Sequence, residues 1–314
     1  MPNAPTHVFV LNYNGGELLR ECLPSIVTAA RAAPMPCAVT VIDNESTDGS
    51  VADLMHDWPS IGLRREPNRG LASFNSVLAD AEEDVVLLLN NDVKLAVDAI
   101  APLVEAVRHH DDALFAAPQC WTFDGSLYEG MRTRVRMRYG LVQGLCRVPG
   151  HEAKVDRPDL TASAGPVLAV NRLRFLELGG YDPLYFPGRI EDLDLGFRGW
   201  MRGWTGRYVP ASRAWHRGFG SFGPAFGASG CDHLAIRNTL LFCWKNLEGP
   251  ELRRHLAWLP LRLVHWGLLR PKALAAFIEA MKRVGEARAE PQANAQSRAA
   301  RLARQEAYFK RFAW

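Results

Sequence analysis

Nine residues, Val85 to Val93, place the tightest constraint on how this chain can fold. Val85-Val86-Leu87-Leu88-Leu89 is apolar without alternation, and Asn90, Asn91 and Asp92 follow at once. A short continuous apolar run bounded by turn-forming residues suits a strand covered on both faces, as in the middle of a parallel sheet. The three polar side chains then stand where that strand leaves the sheet. In open α/β sheets ligands bind at this carboxyl edge. A carboxylate placed there is a candidate ligand for a hard cation, which prefers oxygen donors. The same tripeptide also reads as a turn that caps the next helix.

The chain before this run repeats one pattern. His7 to Leu11 reads as a strand, Glu17 to Ala33 has helical spacing, and Pro34 and Pro36 stop it. Ala38 to Ile42 is a second strand and Val51 to His56 a short helix. Gly62 to Glu66 is a weak third strand, and Gly70 to Ala81 a helix leading into Val85. Strand and helix alternating in this way predict a mainly parallel sheet with right-handed crossovers, flanked by helices. Asp98 to His109 then reads as a helix and Ala113 to Ala117 as a strand. Gln119 to Leu160 loses periodicity and reads as loop and irregular hairpin. Ser163 to Val170 reads as a strand, and Arg172 to Leu178 as a helix closed by Gly179-Gly180. Glu191 to Met201 is helical, and Thr205 to Val209 reads as the last strand.

With 314 residues and ordinary apolar and charged fractions, the chain can bury a large core. Its six cysteines are scattered without a C-x-x-C pair, which predicts free thiols in a reducing cytosol. No basic segment followed by an apolar run opens the chain, so no secretory signal is read. The net charge of +3 hides an asymmetry: from Pro250 onward thirteen Lys/Arg face five Asp/Glu, giving +8, and the preceding residues carry −5. On charge alone, nucleic acid and anionic lipid are both candidate partners for that end. Leu252 to Leu269 is apolar but interrupted by Pro260, Arg262 and His265, too broken to span a bilayer. Leu274, Phe277, Ile278, Met281 and Val284 form a helical stripe with Lys272, Lys282 and Arg283 on other faces, so a basic amphipathic helix is predicted. The tail from Glu286 reads as helical or partly disordered.

Four polar clusters fall at the same edge of the predicted sheet. They are Asn12-Tyr13-Asn14, the run Asp43 to Ser50 with Asn44, the run Asn68 to Asn75 with Gly70, and Asn90-Asn91-Asp92. Asn75 lies about one turn beyond Gly70 and is expected to face the same cleft. Such an edge can hold a base, a ribose and phosphates. There is no G-x-G-x-x-G after the first strand and no G-x-x-x-x-G-K-[ST] anywhere, so a Rossmann or P-loop device is not indicated.

Taken together, V-I-D-N-E-S-T-D-G-S, N-x-G-x-A-x-x-N and L-L-L-N-N-D-V resemble family 2 glycosyltransferases with the GT-A fold. Gly179-Gly180-Tyr181-Asp182 resembles that family's G-G-[FY]-D, and Glu191 to Arg198 its E-D-x-D-L-x-x-R. Arg237-Asn238 through Lys245-Asn246 resembles a segment of its rhamnosyltransferase-like members. The resemblance implies a nucleoside-diphosphate-sugar donor, a saccharide or lipid-linked acceptor, a divalent cation (Mn2+ or Mg2+) and no nucleic-acid partner. It implies that Asp43 contacts the nucleotide base and that Asn90-Asn91-Asp92 occupies the D-x-D position, with Asn90 replacing the first Asp. Asp192, beside Glu191, matches the general base, and His216 the histidine near the metal or diphosphate.

The chemistry needs these residue types. A departing diphosphate gathers negative charge that a divalent cation stabilises, and an acceptor hydroxyl attacks well only when a carboxylate takes its proton. Structural alternatives stand beside each reading. Acids at positions 191, 192 and 194 also suit the positive end of a helix, a lone histidine is usually structural, and Arg198 reads as a salt-bridge partner. The expected division is a nucleotide-sugar half to residue 118, an acceptor half over 119–250, and a basic helical region over 251–314. The expected location is the cytoplasm, with a possible peripheral place on an anionic membrane surface. The rivals are a sugar-nucleotide nucleotidyltransferase and a non-catalytic nucleotide-sugar- or glycan-binding module.

Overall fold

The computed structural model describes residues 4–218, 222–289 and 297–314. Its organising strand is β4 (Val85–Asn90). Val85 to Leu89 are all at most 1% exposed. Val85, Leu87 and Leu89 enter one core layer and Val86 and Leu88 the opposite one. That two-sided burial explains the unbroken apolar run, since neither face of the strand meets water.

Around β4 lie β1 (Thr6–Asn12), β2 (Cys37–Asp43) and β3 (Gly62–Arg65), in the parallel order β3-β2-β1-β4. The crossovers are α1 (Gly16–Ala32), α2 (Ser50–Asp57) and α3 (Ser73–Asp80). β5 (Val93–Leu95), α4 (Ile100–Arg108) and β6 (Ala113–Thr122) follow, then β7 (Tyr128–Gly130), β8 (Arg134–Arg138), β9 (Leu141–Leu145) and β10 (Asp159–Thr161). β11 (Val167–Asn171) inserts antiparallel between β4 and β6 and makes the sheet mixed beyond β4. α5 (Arg172–Glu177), α6 (Glu191–Arg202) and β12 (Thr205–His216) complete this part, with β12 parallel to β6.

Two expectations change here. The aperiodic stretch over 119–160 contains a regular hairpin, β8–β9, closed by Tyr139 and Gly140 at φ 48° and 76°. Positive φ at both loop residues is the twist that two-residue hairpins need. The last strand does not stop at Val209. Pro210 cannot donate to a ladder, and the strand passes it through an irregularity between Val209 and Arg213, then runs on to His216.

The remaining helices are α7 (Phe222–Asn246), kinked at Gly227, α8 (Gly249–Leu269), α9 (Pro271–Lys282), α10 (Val284–Ala289) and α11 (Arg298–Arg311). They build a second core with α6 and the β8–β9 hairpin. α11 is keyed into it: Tyr308 and Phe312 are buried, with ring centroids 4.9 Å from Phe197 and 5.3 Å from Trp200 respectively. The amide of Val135 donates to the Phe312 carbonyl at 2.8 Å. Part of the predicted tail is thus helical and packed, while 290–296 lie outside the described residues. Among the described residues no helix is long and apolar enough to cross a membrane.

Candidate active site

Parallel pairing brings the strand ends together. Asn12 is the register partner of Asp43, and Leu11 that of Asn90. Asn12 is 1% exposed and joins three segments. Its Nδ2 donates to Ser46 Oγ at 3.2 Å and Ser50 Oγ at 3.1 Å, and its Oδ1 accepts from Asn91 Nδ2 at 2.8 Å. Asn14, at φ 47°, accepts from the Thr47 amide at 2.7 Å. Asp43 is buried and accepts from the Ser46 amide at 3.3 Å. Asn44 donates to the Gly70 carbonyl at 3.2 Å, while its Oδ1 is enclosed without a partner among the described residues. Tyr13 is exposed at the rim.

Asn68 and Gly70 border the same edge, with Asn68 Oδ1 accepting from the Gly70 amide at 3.2 Å. Gly70 has φ 58°, and a Cβ there would stand 2.9 Å from the Pro187 carbonyl oxygen. Only glycine serves both conditions at low cost. Asn75 is used differently from the expectation. Its Nδ2 donates to the Tyr181 carbonyl at 2.8 Å and its Oδ1 accepts from the Tyr181 amide at 2.9 Å. Its side chain therefore ties α3 to the Gly-Gly-Tyr turn.

Asp92 is 4% exposed, and its Oδ1 has no hydrogen-bond partner among the described residues. Its Oδ2 lies 3.4 Å from His216 Nε2. The antiparallel β12–β5 pairing sets His216 opposite Val93, and the Arg217 amide donates to the Asp92 carbonyl at 3.0 Å. On its far side, His216 Nδ1 is 2.7 Å from Glu129 Oε2. Burial works to lower the imidazole pKa. Hydrogen bonds and charge from Asp92 and Glu129 outweigh it and push the value up to about 9. Glu129 was not singled out by the sequence: it sits on a three-residue strand, 87 positions from its partner.

Asp92, and His216 once its imidazole gives up the proton that the two neighbouring acids favour, are two donors of the kind a hard or borderline divalent cation accepts. A buried carboxylate oxygen without a partner is costly unless something else satisfies it. The pair therefore fits one side of a cation. Among the described residues no group of three or more His, Cys, Asp and Glu is arranged to hold a metal, so the other coordination positions would belong to a ligand or water.

Across the chain, α6 opens with the second acidic pair. Asp192 Oδ2 accepts from Ser163 Oγ at 2.8 Å, and Oδ1 from the Leu193 amide at 2.8 Å. Glu191 Oε2 is enclosed without a partner among the described residues. Burial first, and the Asp192 charge second, push the Glu191 carboxyl up to about 8. Arg189 and Ile190, just before α6, stand at φ 81° and 78°. Non-glycine residues in that region cost energy and persist only where their surroundings impose them.

Those surroundings come from the remaining motif residues. Asp194, fully buried, accepts from Arg198 Nε at 2.5 Å, Tyr185 Oη at 2.8 Å and Asn246 Nδ2 at 2.7 Å. Arg198 also donates to the Leu178 and Gly180 carbonyls at 2.7 Å, and Lys245 pairs with Asp182. Asn238 Nδ2 lies within hydrogen-bond reach of the carbonyls of Tyr185, Gly188 and Arg189, and Arg237 Nη2 donates to Phe186 at 2.6 Å. Arg198 is thus a salt-bridge partner, and these side chains hold the strained segment that places Asp192.

Several known proteins are similar to this chain. A model of Glycosyl transferase family 2 matches residues 7–161. The chain is 28% identical over 234 residues to an N-acetylglucosaminyl-diphospho-decaprenol L-rhamnosyltransferase of Mycobacterium tuberculosis, covering 67% of this chain and 75% of the relative. It is 28% identical over 183 residues to human polypeptide N-acetylgalactosaminyltransferase 10, covering 55% of this chain but 30% of that protein. Among solved structures, GalNAc-T7 with UDP, GalNAc and Mn2+ superposes with a TM-score of 0.61 at 19% identity, over 90% of this chain and 56% of that one. A Pyrobaculum calidifontis mannosyltransferase with GDP-Man and Mn2+ gives 0.53 at 19% identity, over 97% and 80%. The solved structures share the fold, and the family model and the named relatives add the sequence likeness: residues 7–161 of the chain form a glycosyl transferase family 2 region.

Proposed function

We propose that this glycosyltransferase is metal-dependent and inverting, and that it moves a sugar from a nucleoside diphosphate to a saccharide carried on a lipid. The observation that carries the reading is the buried, unpartnered Oδ1 of Asp92 beside His216 Nε2. Two structural neighbours hold Mn2+ together with a nucleotide or nucleotide sugar. The mycobacterial relative is named for a lipid-linked acceptor, which supports a similar acceptor class and a peripheral position at the inner face of a membrane. In this reading the donor occupies residues 1–118 and the acceptor 119–250, with 251–314 as an appended basic helical region.

A divalent cation, manganese or magnesium, held by Asp92 and His216 would supply positive charge to the departing diphosphate. Asp43, Asn44 and Asn12 line the base and ribose end of the edge. Asp192 takes the proton of the attacking hydroxyl. Ser163 and the Leu193 amide fix its two oxygens, so its remaining lone pairs face a defined direction. Glu191 keeps its proton near neutral pH and spares Asp192 a second adjacent negative charge. With the hydroxyl approaching from the side opposite the diphosphate, displacement inverts the sugar carbon.

The test is calorimetric titration of UDP, GDP and dTDP with and without Mn2+, beside donor hydrolysis, for the parent chain and Asp92→Ala. Cation-dependent nucleotide binding and turnover, both lost in Asp92→Ala with the melting transition kept, is the expected outcome. Equal nucleotide binding and turnover in Asp92→Ala would remove the metal reading.

A further inference from the structure

The sequence places an apolar stripe on the segment that forms α9, and the structure moves the exposed apolar surface elsewhere. On α9 the buried positions are Ala273, Ala276 and Ala280, Leu274 and Phe277 pack on the second core, and so does Val284 at the start of α10. Only Ile278 and Met281 of that stripe stay exposed. The uncovered surface is on α8. Leu261, Val264, Leu268 and Leu269 are 63%, 62%, 76% and 72% exposed. Positions 257, 261, 264 and 268 recur at helical spacing, so Ala257, Leu261, Val264 and Leu268 form one line along one face. The opposite face carries His255, Leu259 and Trp266 into the core.

The region that carries this line is basic on balance. Between Gly249 and Ala289 there are eight Lys/Arg and three Asp/Glu. Glu279 is paired with Arg237 and His233, Glu286 with Arg283, and Glu251 has one oxygen enclosed. Arg253 and Arg254 open the exposed face, Lys272 and Lys282 follow on α9, and all four are exposed with no carboxylate partner among the described residues. A helix with large apolar side chains in a line, opened by two exposed arginines and followed by a helix with two exposed lysines, matches an anionic bilayer surface. The leucines enter the acyl boundary while the cations meet lipid phosphates.

We propose that the outer face of α8 docks this protein on an anionic membrane, with Leu261, Val264 and Leu268 as the inserted residues. This rests on the lipid-linked acceptor reading above and specifies which surface meets the lipid. A helix that lies in the interface keeps its inward face on the protein, consistent with the burial of Trp266 and His255.

The experiment is co-sedimentation of the full chain with phosphatidylglycerol/phosphatidylcholine vesicles and with phosphatidylcholine alone, at low and high salt. Val264→Glu/Leu268→Glu and Arg253→Glu/Arg254→Glu are run beside it, with light scattering and donor hydrolysis without vesicles as controls. Expected is binding to anionic vesicles only, released by salt. The apolar double variant should bind on the order of a hundredfold more weakly, and the arginine variant should lose salt-sensitive binding. Donor hydrolysis should match the parent in both. Failure of the parent to bind anionic vesicles, or unchanged binding by the apolar variant, would overturn the inference while intact hydrolysis leaves the catalytic reading standing. So would a parent dimer that Val264→Glu/Leu268→Glu splits without any vesicle binding, since the face would then join two copies. Lost catalysis in Asp92→Ala bears on the catalytic reading alone.

Discussion

Glu191→Gln isolates the electrostatics of the second acidic pair. In the folded chain burial and the Asp192 charge raise the Glu191 carboxyl from 4.5 to about 8. A carboxyl whose folded pKa is raised keeps its proton while the unfolded chain loses it. Between the two values the unfolded state binds fewer protons, so stability falls as pH rises. The slope is about 1.4 kcal/mol per pH unit, which by neutral pH amounts to roughly 3 kcal/mol, an order-of-magnitude figure. Glutamine keeps the shape and cannot ionise. The difference in unfolding free energy between Glu191→Gln and the parent should therefore grow in favour of the variant from pH 4.5 to about 8, then level off. Thermal and urea melts at pH 5, 6, 7 and 8 measure it. At roughly 2–4 °C per kcal/mol for chains somewhat smaller than this, the gap at neutral pH is several degrees. The constant offset from placing an amide in the pocket does not matter, because only the pH dependence of the difference is read. Parallel melting curves across this range would refute the argument, as they would show that Glu191 titrates equally in both states.

Asp192→Asn should lose turnover by at least about a hundredfold, as removal of a general base does, while donor affinity measured by titration stays within a few-fold; loss of donor affinity instead would show that Asp192 binds and does not take the proton. Glu129→Gln should weaken Mn2+ binding in the presence of a nucleoside diphosphate about 10–100-fold, the usual cost of removing a carboxylate behind a metal-bound imidazole. Unchanged Mn2+ affinity in that variant would show that the 2.7 Å contact with His216 is structural only.

Much of the sheet that carries the candidate site was legible because it obeys local rules. β4 announced itself through five apolar residues and three turn-forming ones, and the parallel order of the first four strands follows from their alternation with helices. What was not legible depends on contacts far apart in sequence. Nothing in the periodicity of Val167–Asn171 says that it inserts antiparallel between β4 and β6. Asn75 lies on the helix beside the donor edge, yet its amide is taken by a turn more than a hundred residues away. On α9 the large apolar residues carry the helical spacing, while alanines form the buried line because the helix packs closely on α7. Small side chains let two backbones approach, and large ones are then left to the margins or to solvent.

Asn90 stands where the D-x-D pattern has its first Asp. The D-x-D pattern offers two carboxylates within one turn, and this chain offers only Asp92. A divalent cation in a buried setting needs more negative charge than one carboxylate gives, and the low local dielectric makes any shortfall more expensive. The fold brings a second carboxylate from elsewhere. Glu129, on β7, reaches His216 on its Nδ1 side while Asp92 stands on the Nε2 side. A carboxylate behind an imidazole fixes its tautomer and makes the other nitrogen a better donor. β7 hangs on β6, and β6 pairs with β12, so the extension of β12 past Pro210 is what carries His216 between the two acids. On the proposed reading, the charge missing at Asn90 is supplied through His216, and the irregular stretch in which no pattern was visible is the part of the chain that supplies it.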